Sequence, residues 1–300
     1  MKNSNIGWLY YKFYYRDLAS MSPDFKGKFG LLKKVNLTDI GQNTGCGTQC
    51  TFKLETVYPG LLIGSGAAHQ SGFGQEKDDE LKLGFSFDYT TGLPLIHGSS
   101  IKGLLRSMFP FSVKKGRTQQ EEAELEKSYR IPRREFIKEI LKKGDALDVD
   151  LLEKVIFEGV DINQADTCLP IYERDVFFDA FPVQSVNNLL DNDYITPHFK
   201  DGDSMSIFKN PEPIQFLKVS PGVIFEFRFD LKPTYINGIE IKADDKIDLF
   251  KEILTTIGVG AKTNVGYGQF TDKLSKKRDP VIIEDNTNVG SKKKVLIKKR

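Results

Sequence analysis

A glycine-rich stretch near the C-terminus has the composition of an anion-binding loop. Residues 258–268 hold four glycines together with Lys262 and Asn264. Glycines let a backbone approach a ligand closely and turn its N–H groups toward an anion, and the two polar side chains add a cation and an amide. The alternative is structural, with a helix cap at Gly258 followed by a β-bulge. The candidate ligand contacts in this loop are Gly258, Gly260, Lys262, Asn264, Gly266, Tyr267 and Gly268.

Two known nucleotide-binding motifs do not fit this stretch. A dinucleotide-binding loop follows a strand and opens a helix, whereas here a helical pattern precedes the loop and a strand pattern follows it. A P-loop requires glycine directly before Lys-Ser/Thr, and that position is Ala261. If this stretch binds a phosphate, it therefore does so as a loop of another kind, and the structural alternative stays open.

A second candidate anion site lies at the start of a predicted helix. Apolar residues recur with helical spacing over 101–108, Ser99 or Ser100 is the expected N-cap, and Pro110 is the expected stop. Free N–H groups at a helix start, together with two hydroxyls, favour an anion through geometry and dipole. The alternative is an ordinary capped amphipathic helix. The candidate contacts here are His97, Gly98, Ser99, Ser100, Lys102 and Arg106.

Few residues are suited to catalysis or to metal binding. His69, His97 and His198 show neither a Ser/His/Asp order nor an H-x-x-x-H spacing. Cys46 and Cys50 form a C-x₃-C pair without a matching second pair. We therefore predict no catalytic residue, no metal site and no cofactor.

The N-terminal region is rich in aromatic residues. They are Trp8, Tyr10, Tyr11, Phe13, Tyr14 and Tyr15. Such a density is sufficient for stacking on nucleobases. Residues of this kind also belong, and more often, to a protein core or a subunit interface.

The composition is that of a folded protein large enough to bury a sizeable core. The chain has 300 residues, of which 39% are hydrophobic and 28% charged, and its 22 Phe and 11 Tyr exclude a disordered chain. No apolar run of about 18 residues occurs, so we expect no membrane span, and the N-terminal residues lack the apolar centre of a signal peptide. Three cysteines fit a reducing compartment, which predicts a cytoplasmic protein.

Charge is distributed unevenly along the chain. Residues 273–300 contain ten Lys and Arg against three acids, a local charge of +7, which leaves 33 basic and 38 acidic groups elsewhere, a net charge of −5. A nonspecific polyanion-binding protein is basic throughout, so any contact with nucleic acid must be local here. We expect the tail at 273–300 to be mobile and to add salt-sensitive, sequence-independent affinity.

An α+β fold is predicted to position these residues. The clearest patterns are strands at 51–57, 172–181, 215–231 and 267–271 and helices at 99–109 and 244–257, with a further short strand at 83–89. The main elements follow the order βαββαβ, which is that of a ferredoxin-like or RRM-like domain.

The same patterns predict a single elaborated domain over residues 1–272. Residues 118–158 are charged and helical in pattern and are expected to form an insertion outside the sheet. Residues 187–213 are rich in Pro, Gly and Asp and are expected to form a long loop insertion. The basic tail follows at 273–300.

Four segments in this order resemble the RAMP superfamily of CRISPR proteins. They lie at 61–66, 92–106, 194–199 and 258–270. The second matches the family's G-x-P-x-I-P-G-S-S-x-K-G-x-x-R block, except that His97 replaces the usual proline. The glycine-rich loop is common to the superfamily, whereas the third segment, with its Thr-Pro-His-Phe block, is most similar to the sixth RAMP subunit of the type III-B (Cmr) effector complex.

The resemblance covers about residues 50–272 and implies a function. It implies an RRM-like, non-catalytic subunit that binds the guide RNA (crRNA) near its 3′ end in a ribonucleoprotein of antiviral defence. The implied partners are the guide RNA and its target RNA, the backbone RAMP subunits and the neighbouring capping RAMP subunit. The candidate contacts in the loop and at the helix start are then RNA-binding residues.

Two other functions stay open at this point. A metal-independent endoribonuclease of the same superfamily would process precursor CRISPR RNA, with His69, His97 or His198 as general acid or base. Activity of the pure chain on repeat RNA distinguishes this enzyme from a binding subunit. A protein-interaction scaffold would contact little RNA, which the RNA content of complexes purified with and without the chain would reveal.

Overall fold

Helices and strands are both prominent in the computed structural model, which describes residues 5–14, 16, 25–33, 37, 50–65, 83–110, 118–162, 167–195 and 213–274. The predicted α+β class is confirmed. The helices are α1 (Ile6–Trp8, continued by a π-helical turn Leu9–Tyr14), α2 (Phe25–Lys33), α3 (Gly98–Ser107), α4 (Gln119–Leu125, continued by a π-helical turn Glu126–Arg130), α5 (Ile131–Leu141), α6 (Val149–Glu158) and α7 (Ala243–Ile257). Within these ranges, none of the helices combines the length and the apolar composition that a bilayer crossing requires.

The strands form one main sheet and two smaller ribbons. They are β1 (Cys50–Thr56), β2 (Val176–Phe177), β3 (Phe181–Ser185), β4 (Leu190–Ile195), β5 (Ile214–Val219), β6 (Val223–Asp230), β7 (Thr234–Ile236), β8 (Ile239–Ile241) and β9 (Phe270–Thr271). The main sheet has the antiparallel order β2–β6–β1–β9, and β3 also pairs with β6. The ribbons are β4–β5 and β7–β8.

The apolar faces of α3 and α7 pack against this sheet in one core. Ile101 and Leu105 of α3 are fully buried, and so is Phe250 of α7. The Phe250 ring lies 5.4 Å from the ring of Phe229 on β6, measured between centroids. Burial of apolar surface is the main force that stabilises such packing. The start of α3 and the end of α7, where the candidate sites lie, are therefore held in place by the core.

A buried ion pair also fixes α7. The Lys246 Nζ lies 2.5 Å from the Asp175 Oδ2, and the two side chains are 1% and 2% exposed. Burial raises the pKa of Asp175 and lowers the pKa of Lys246. The Lys246 ammonium also donates to the Lys232 carbonyl at 2.7 Å. Because removal of either partner would leave a buried charge uncompensated, the position of α7 is strongly specified.

Two predicted strands are shorter or absent. Residues 83–89 form only a single bridge, between Phe87 and Pro94, because the chain turns back where the Asp88 carboxylate accepts the Thr91 N–H at 2.6 Å. The predicted strand at 172–181 is limited to Val176–Phe177 and the beginning of β3. Carboxylates in this segment accept backbone N–H groups of other segments, which competes with regular strand pairing.

The predicted strand at 215–231 is two strands in different sheets. The chain turns between β5 and β6, where the Gly222 N–H donates to the Thr56 carbonyl at 2.7 Å. The buried Thr56 hydroxyl donates to the Ser220 carbonyl at 2.8 Å and accepts the Val223 N–H at 3.0 Å. One threonine of β1 thus clamps the turn that joins the main sheet to the β4–β5 ribbon.

The segment predicted as a loop insertion, 187–213, contains β4. This strand pairs with β5 from Leu190 opposite Val219 to Ile195 opposite Ile214. The prediction was wrong for β4 because its polar run Asp-Asn-Asp is typical of turns, whereas pairing with the apolar β5 stabilises it as a strand. In the other predicted insertion, 118–158, the chain is mostly helical, as α4, α5 and α6.

The N-terminal aromatic residues divide between core and surface. Tyr10 and Tyr14 are fully buried, and the Tyr10 ring lies 5.4 Å from the Phe87 ring, measured between centroids. Trp8 and Tyr11 are 50% and 40% exposed. The two buried tyrosines belong to the core and are not available for stacking on a base.

Candidate nucleic-acid interface

The glycine-rich loop closes on itself directly after α7. The Gly258 N–H donates to the Leu254 carbonyl at 3.1 Å, so the helix cap expected under the structural alternative is present. The Val259 N–H donates to the Gly268 carbonyl at 2.8 Å. This hydrogen bond closes residues 259–268 into a loop, and Thr263–Val265 forms one 3₁₀ turn within it.

The loop is also bonded to the segment that follows β1. The Ala261 N–H donates to the Leu62 carbonyl at 2.9 Å, and the Gly268 N–H donates to the Gly60 carbonyl at 2.8 Å. Gly260 lies so close that an added Cβ would be 2.2 Å from the Leu62 carbonyl oxygen. Glycine is required at position 260 because two backbones meet there, so this part of the glycine pattern is structural.

The outer part of the loop carries polar groups that are available to a ligand. The Lys262 and Asn264 side chains are exposed, and neither has a hydrogen bond or ion pair to a residue that the structure describes. The backbone N–H groups of Thr263 and Asn264, at the start of the 3₁₀ turn, also donate to no acceptor within the described ranges. A cation, an amide and two N–H donors on one turn are a combination that suits a phosphate.

Tyr267, predicted as a ligand contact, is an internal anchor. Its side chain is only 8% exposed, and its hydroxyl donates to the Asp193 Oδ2 at 2.7 Å. The same oxygen accepts from the buried Lys218 Nζ at 2.5 Å. These three residues, the Tyr267–Asp193–Lys218 cluster, join the loop to both strands of the β4–β5 ribbon.

The pKa values in this cluster follow from burial and hydrogen bonding. Burial first, and then the hydrogen bond to Asp193, raises the pKa of Tyr267. Burial opposes ionisation of Asp193, but the Lys218 ammonium and the Tyr267 hydroxyl outweigh it and hold the pKa of Asp193 below its usual value. Asp193 is therefore an ionised acceptor, which also receives the Tyr194 N–H at 2.9 Å.

Neither Asp193 nor Lys218 is among the residues predicted from the sequence. Asp193 lies in a polar segment that also contains Asp191, and nothing in the sequence distinguishes the roles of the two aspartates. Lys218 did offer a signal, because it is a charged residue in the otherwise largely apolar strand Ile214–Val219. A lysine buried in such a strand requires a partner, but the sequence does not reveal which one.

The start of α3 differs from the prediction, since His97 rather than a serine is the N-cap residue. The Gly98 N–H, predicted to be free, donates to the Asp179 Oδ1 at 2.7 Å. A serine cap is not needed because this carboxylate already satisfies a donor of the first turn. Ser99 and Ser100 are exposed, and their hydroxyls have no partner in the described part of the chain. The Ser100 N–H is also occupied, since it donates to the His97 carbonyl at 2.9 Å, so two predicted N–H donors have partners and two hydroxyls are available.

Lys102 and Arg106, predicted together as phosphate contacts, have different surroundings. The Arg106 Nε donates to the Glu153 Oε1 at 3.0 Å, and its Nη2 donates to Glu158, which also lies on α6. Burial opposes the charge of Arg106, but these two hydrogen bonds outweigh it and raise its pKa. Lys102 has no ion pair to a described residue, and its Nζ lies 5.6 Å from the centroid of the Phe177 ring. Of the two cations, Lys102 is the one available to a ligand.

The two candidate sites lie on either side of one short segment. The Leu62 carbonyl accepts the Ala261 N–H of the loop. Two residues further on, Gly64 is so close to Ser86 that an added Cβ would be 2.6 Å from its backbone nitrogen. The Ser86 Oγ in turn lies 3.0 Å from the His97 Nε2 at the start of α3. This chain of contacts links the two candidate sites through the backbone of residues 62–64.

Several predicted residues lie outside the described residues. They are Tyr15, Cys46, His69, residues 196–212 of the predicted loop insertion, which include His198, and the tail from 275 onward. Among the residues that are described, no group of His, Cys, Asp and Glu is arranged to hold a metal ion.

Comparison with known proteins gives a family match and a number of similar solved structures, among them the following two. The model of the RAMP superfamily matches residues 53–271. A chain of the type III-B Cmr-beta complex, determined by cryo-electron microscopy with bound cognate target RNA, is 22% identical with a TM-score of 0.42, and the match covers 73% of this chain but only 56% of that one. Cmr6 from Pyrococcus furiosus is 20% identical with a TM-score of 0.39, and the match covers 74% of this chain and 97% of Cmr6. A search of curated proteins gives no match.

Proposed function

The chain belongs to the RAMP superfamily, and from this premise we propose that it is a non-catalytic guide-RNA-binding and assembly subunit of a type III-B CRISPR effector complex. The observation that carries the proposal is the outer part of the glycine-rich loop, where Lys262, Asn264 and two backbone N–H groups are available to a phosphate. These groups suit a sugar-phosphate backbone rather than base edges. Guides of varied sequence require binding of that kind.

The proposed place in the complex is the 3′ end of the guide RNA, beside its target RNA. There the chain would contact the backbone RAMP subunits and the neighbouring capping RAMP subunit. This placement is supported by the similarity of residues 194–199 to the sixth RAMP subunit. The strand β4, which ends at Ile195, leads directly into the Thr-Pro-His-Phe block and is tied to the loop by Asp193.

We also propose that the core is a ferredoxin-like, RRM-like unit. Its four strands would be β1, the β2/β3 pair, β6 and β9, with α3 and α7 as the two helices. The order β9–β1–β6–β2 then corresponds to fourth, first, third and second in the series, with all neighbours antiparallel. In this arrangement, the start of α3 and the loop after α7 lie beside the segment that follows β1.

A second candidate function is cleavage of precursor CRISPR RNA. The observation that favours it is the exposed His97, whose Nε2 lies 3.0 Å from the Ser86 hydroxyl at the candidate site. An imidazole in such a position is suited to proton transfer. The pure chain incubated with repeat RNA separates the two functions, because a binding subunit leaves the RNA intact. Specific cleavage that His97→Ala abolishes would establish the enzyme instead.

The binding proposal is tested with a guide RNA and a matched pair of double variants. Lys102→Gln with Lys262→Gln removes the cation available at each candidate site, and we expect affinity to fall about 25-fold, at roughly 1 kcal/mol for each contact. Lys127→Gln with Lys154→Gln removes two exposed lysines in the helical region 118–158 and is expected to change affinity little. Fluorescence anisotropy of a labelled guide measures both.

Incorporation into a reconstituted complex and a thermal melt accompany the binding curves. The melting temperature of the Lys102/Lys262 variant should stay close to that of the wild type, because neither side chain has an ion pair to a described residue. If this variant binds and assembles normally, the RNA must lie elsewhere on the chain.

A further inference from the structure

One large aromatic side chain beside the glycine-rich loop has no place in the core. Tyr58, in the turn that follows β1, is 83% exposed. A single exposed aromatic residue is common on protein surfaces and needs no explanation by itself. Tyr58 is notable because of its neighbours. The adjoining loop carries exposed Val265 beside the available groups of Lys262 and Asn264.

The backbone that carries Tyr58 is hydrogen-bonded on both sides. The Gly60 N–H donates to the Val57 carbonyl at 2.8 Å, which closes the turn. The Val57 N–H donates to the Gln269 carbonyl at 3.1 Å, and the Gly60 carbonyl accepts the Gly268 N–H at 2.8 Å. The turn is thus bonded to the end of the glycine-rich loop at two points, and its aromatic ring is presented on a fixed backbone.

The turn also touches the outer part of the loop. A Cβ added to Gly266 would be 3.5 Å from the Pro59 Cδ, which is ordinary van der Waals contact. Tyr58 therefore lies one residue from the contact between turn and loop. A ring with only two rotatable bonds, next to phosphate-binding groups, offers contact area at a low cost in conformational entropy.

We propose that Tyr58 is a stacking platform for an unpaired base of the guide RNA, whose adjacent phosphate is bound by Lys262 and Asn264. The inference rests on the proposed function and names the residue that would contact a base within that site. Stacking on an aromatic ring is tolerant of sequence, since every base has a flat face. It thus suits guides of varied sequence and supplements the backbone contacts of the loop. The combination of a ring with a cation, an amide and N–H donors favours RNA over an apolar protein surface.

The test compares four variants of the full chain by anisotropy of a single-stranded guide RNA. Tyr58→Ala and Tyr58→Leu both remove the ring, and the leucine keeps apolar bulk in case the alanine variant folds poorly. We expect each to lose roughly tenfold in affinity, whereas Tyr58→Phe stays within about twofold of the wild type. Tyr172→Ala is the matched control. Tyr172 is similarly exposed, at 72%, but belongs to the 3₁₀ turn Ile171–Glu173 and to neither the glycine-rich loop nor the turn after β1.

Two further readouts separate stacking from charge and from folding. The slope of affinity against salt should be unchanged in Tyr58→Ala, because no phosphate contact is lost, whereas Lys262→Gln should reduce it. Guides that carry one abasic nucleotide at successive positions should reveal a position where loss of the base weakens the wild type about tenfold. The same abasic guide should bind Tyr58→Ala no worse than the intact guide does.

Three results would overturn the inference. Wild-type affinity in Tyr58→Ala and Tyr58→Leu would exclude a role in RNA binding. Normal RNA binding combined with failed incorporation into the complex would make Tyr58 a contact to a protein subunit. If the wild-type chain itself binds no guide RNA, the proposed function is wrong and the stacking inference falls with it, a result distinct from failure of the Tyr58 variants alone.

Discussion

The glycine-rich loop and the start of α3 have similar polar compositions but differ in whether their polar groups already have partners. In the loop, Lys262 and Asn264 are available for an external ligand. At the start of α3, the Gly98 N–H is bonded to Asp179, and Arg106 further along the helix is bonded to two glutamates of α6. A pattern of donors and cations therefore marks two possible anion sites, and the acids contributed by distant segments decide which groups at each site remain available to a ligand.

The largest effect is expected from a side chain added at Gly260. With φ of 88° and a Cβ position 2.2 Å from the Leu62 carbonyl oxygen, Gly260→Val must displace the loop from its neighbour. We expect a loss of about 3 kcal/mol in the free energy of unfolding and more than tenfold in RNA affinity. Urea denaturation and anisotropy measure the two quantities.

Gly266→Ala is the control for that substitution. Gly266 also has a positive φ, but an added Cβ would meet only the Pro59 Cδ at 3.5 Å. Its cost should be limited to backbone strain of about 1 kcal/mol. Equal losses in the two variants would contradict the view that position 260 is fixed by close approach.

Arg106→Gln tests the candidate site on α3, where this cation already has partners within the protein. The variant leaves Glu153, whose side chain is 4% exposed, without its cation. We expect the free energy of unfolding to fall by about 1–2 kcal/mol, a figure already reduced because Arg106 is partly exposed. The RNA affinity of the folded variant should be unchanged, and the added substitution Glu153→Gln should restore part of the stability. Lost RNA affinity with normal stability would instead identify Arg106 as a phosphate contact.

Asp193→Asn tests the anchor of the loop and carries a pH signature. Because the folded-state pKa of Asp193 is lowered, its stabilising contribution is present above the ordinary carboxyl pKa and is lost as pH falls through the folded value. The variant should be less stable by about 1–2 kcal/mol at pH 7, and this difference should shrink below about pH 4. Unfolding curves from pH 7 to pH 3 measure it. A difference that stays constant over this range would exclude ionisation of Asp193 as its source.

The smallest effects are expected from the single lysine variants. Lys262→Gln and Lys102→Gln should each weaken guide RNA binding about fivefold at moderate salt, or roughly 1 kcal/mol, and reduce the salt slope by about one unit. Neither should shift the melting temperature. If only Lys262→Gln has these effects, the RNA contacts the loop and the start of α3 is an ordinary helix cap.

The sequence was sufficient to predict regular elements whose own residues determine them. The helix at 99–109 and the helix at 244–257 agree with α3 and α7 because apolar spacing and end signals lie within each segment. The strand at 51–57 agrees with β1 for the same reason. The loop was also located correctly, since glycine is needed at position 260, where the backbone approaches Leu62, and at position 268, where it approaches Val259.

Other features depend on contacts between segments far apart in the chain, and these were not predictable. No local pattern pairs Asp179 with Gly98, Arg106 with Glu153, or Tyr267 with Asp193. β4 was missed because its polar residues are stabilised as a strand by pairing with β5. The cause of the error is the same in each case. The sequence does not show the partner, because a distant segment of the chain supplies it.

The Thr56 clamp has a consequence for the motions of the molecule. Its hydroxyl accepts the Val223 N–H, and its carbonyl accepts the Gly222 N–H, so two successive amides of the turn between β5 and β6 are held by one buried residue of β1. Exchange of these amide hydrogens with solvent requires β1 and the turn to separate, which means opening the main sheet. Gly222 and Val223 should therefore rank among the slowest-exchanging amides of the chain. The β4–β5 ribbon should then move with the main sheet as one body instead of swinging about the turn.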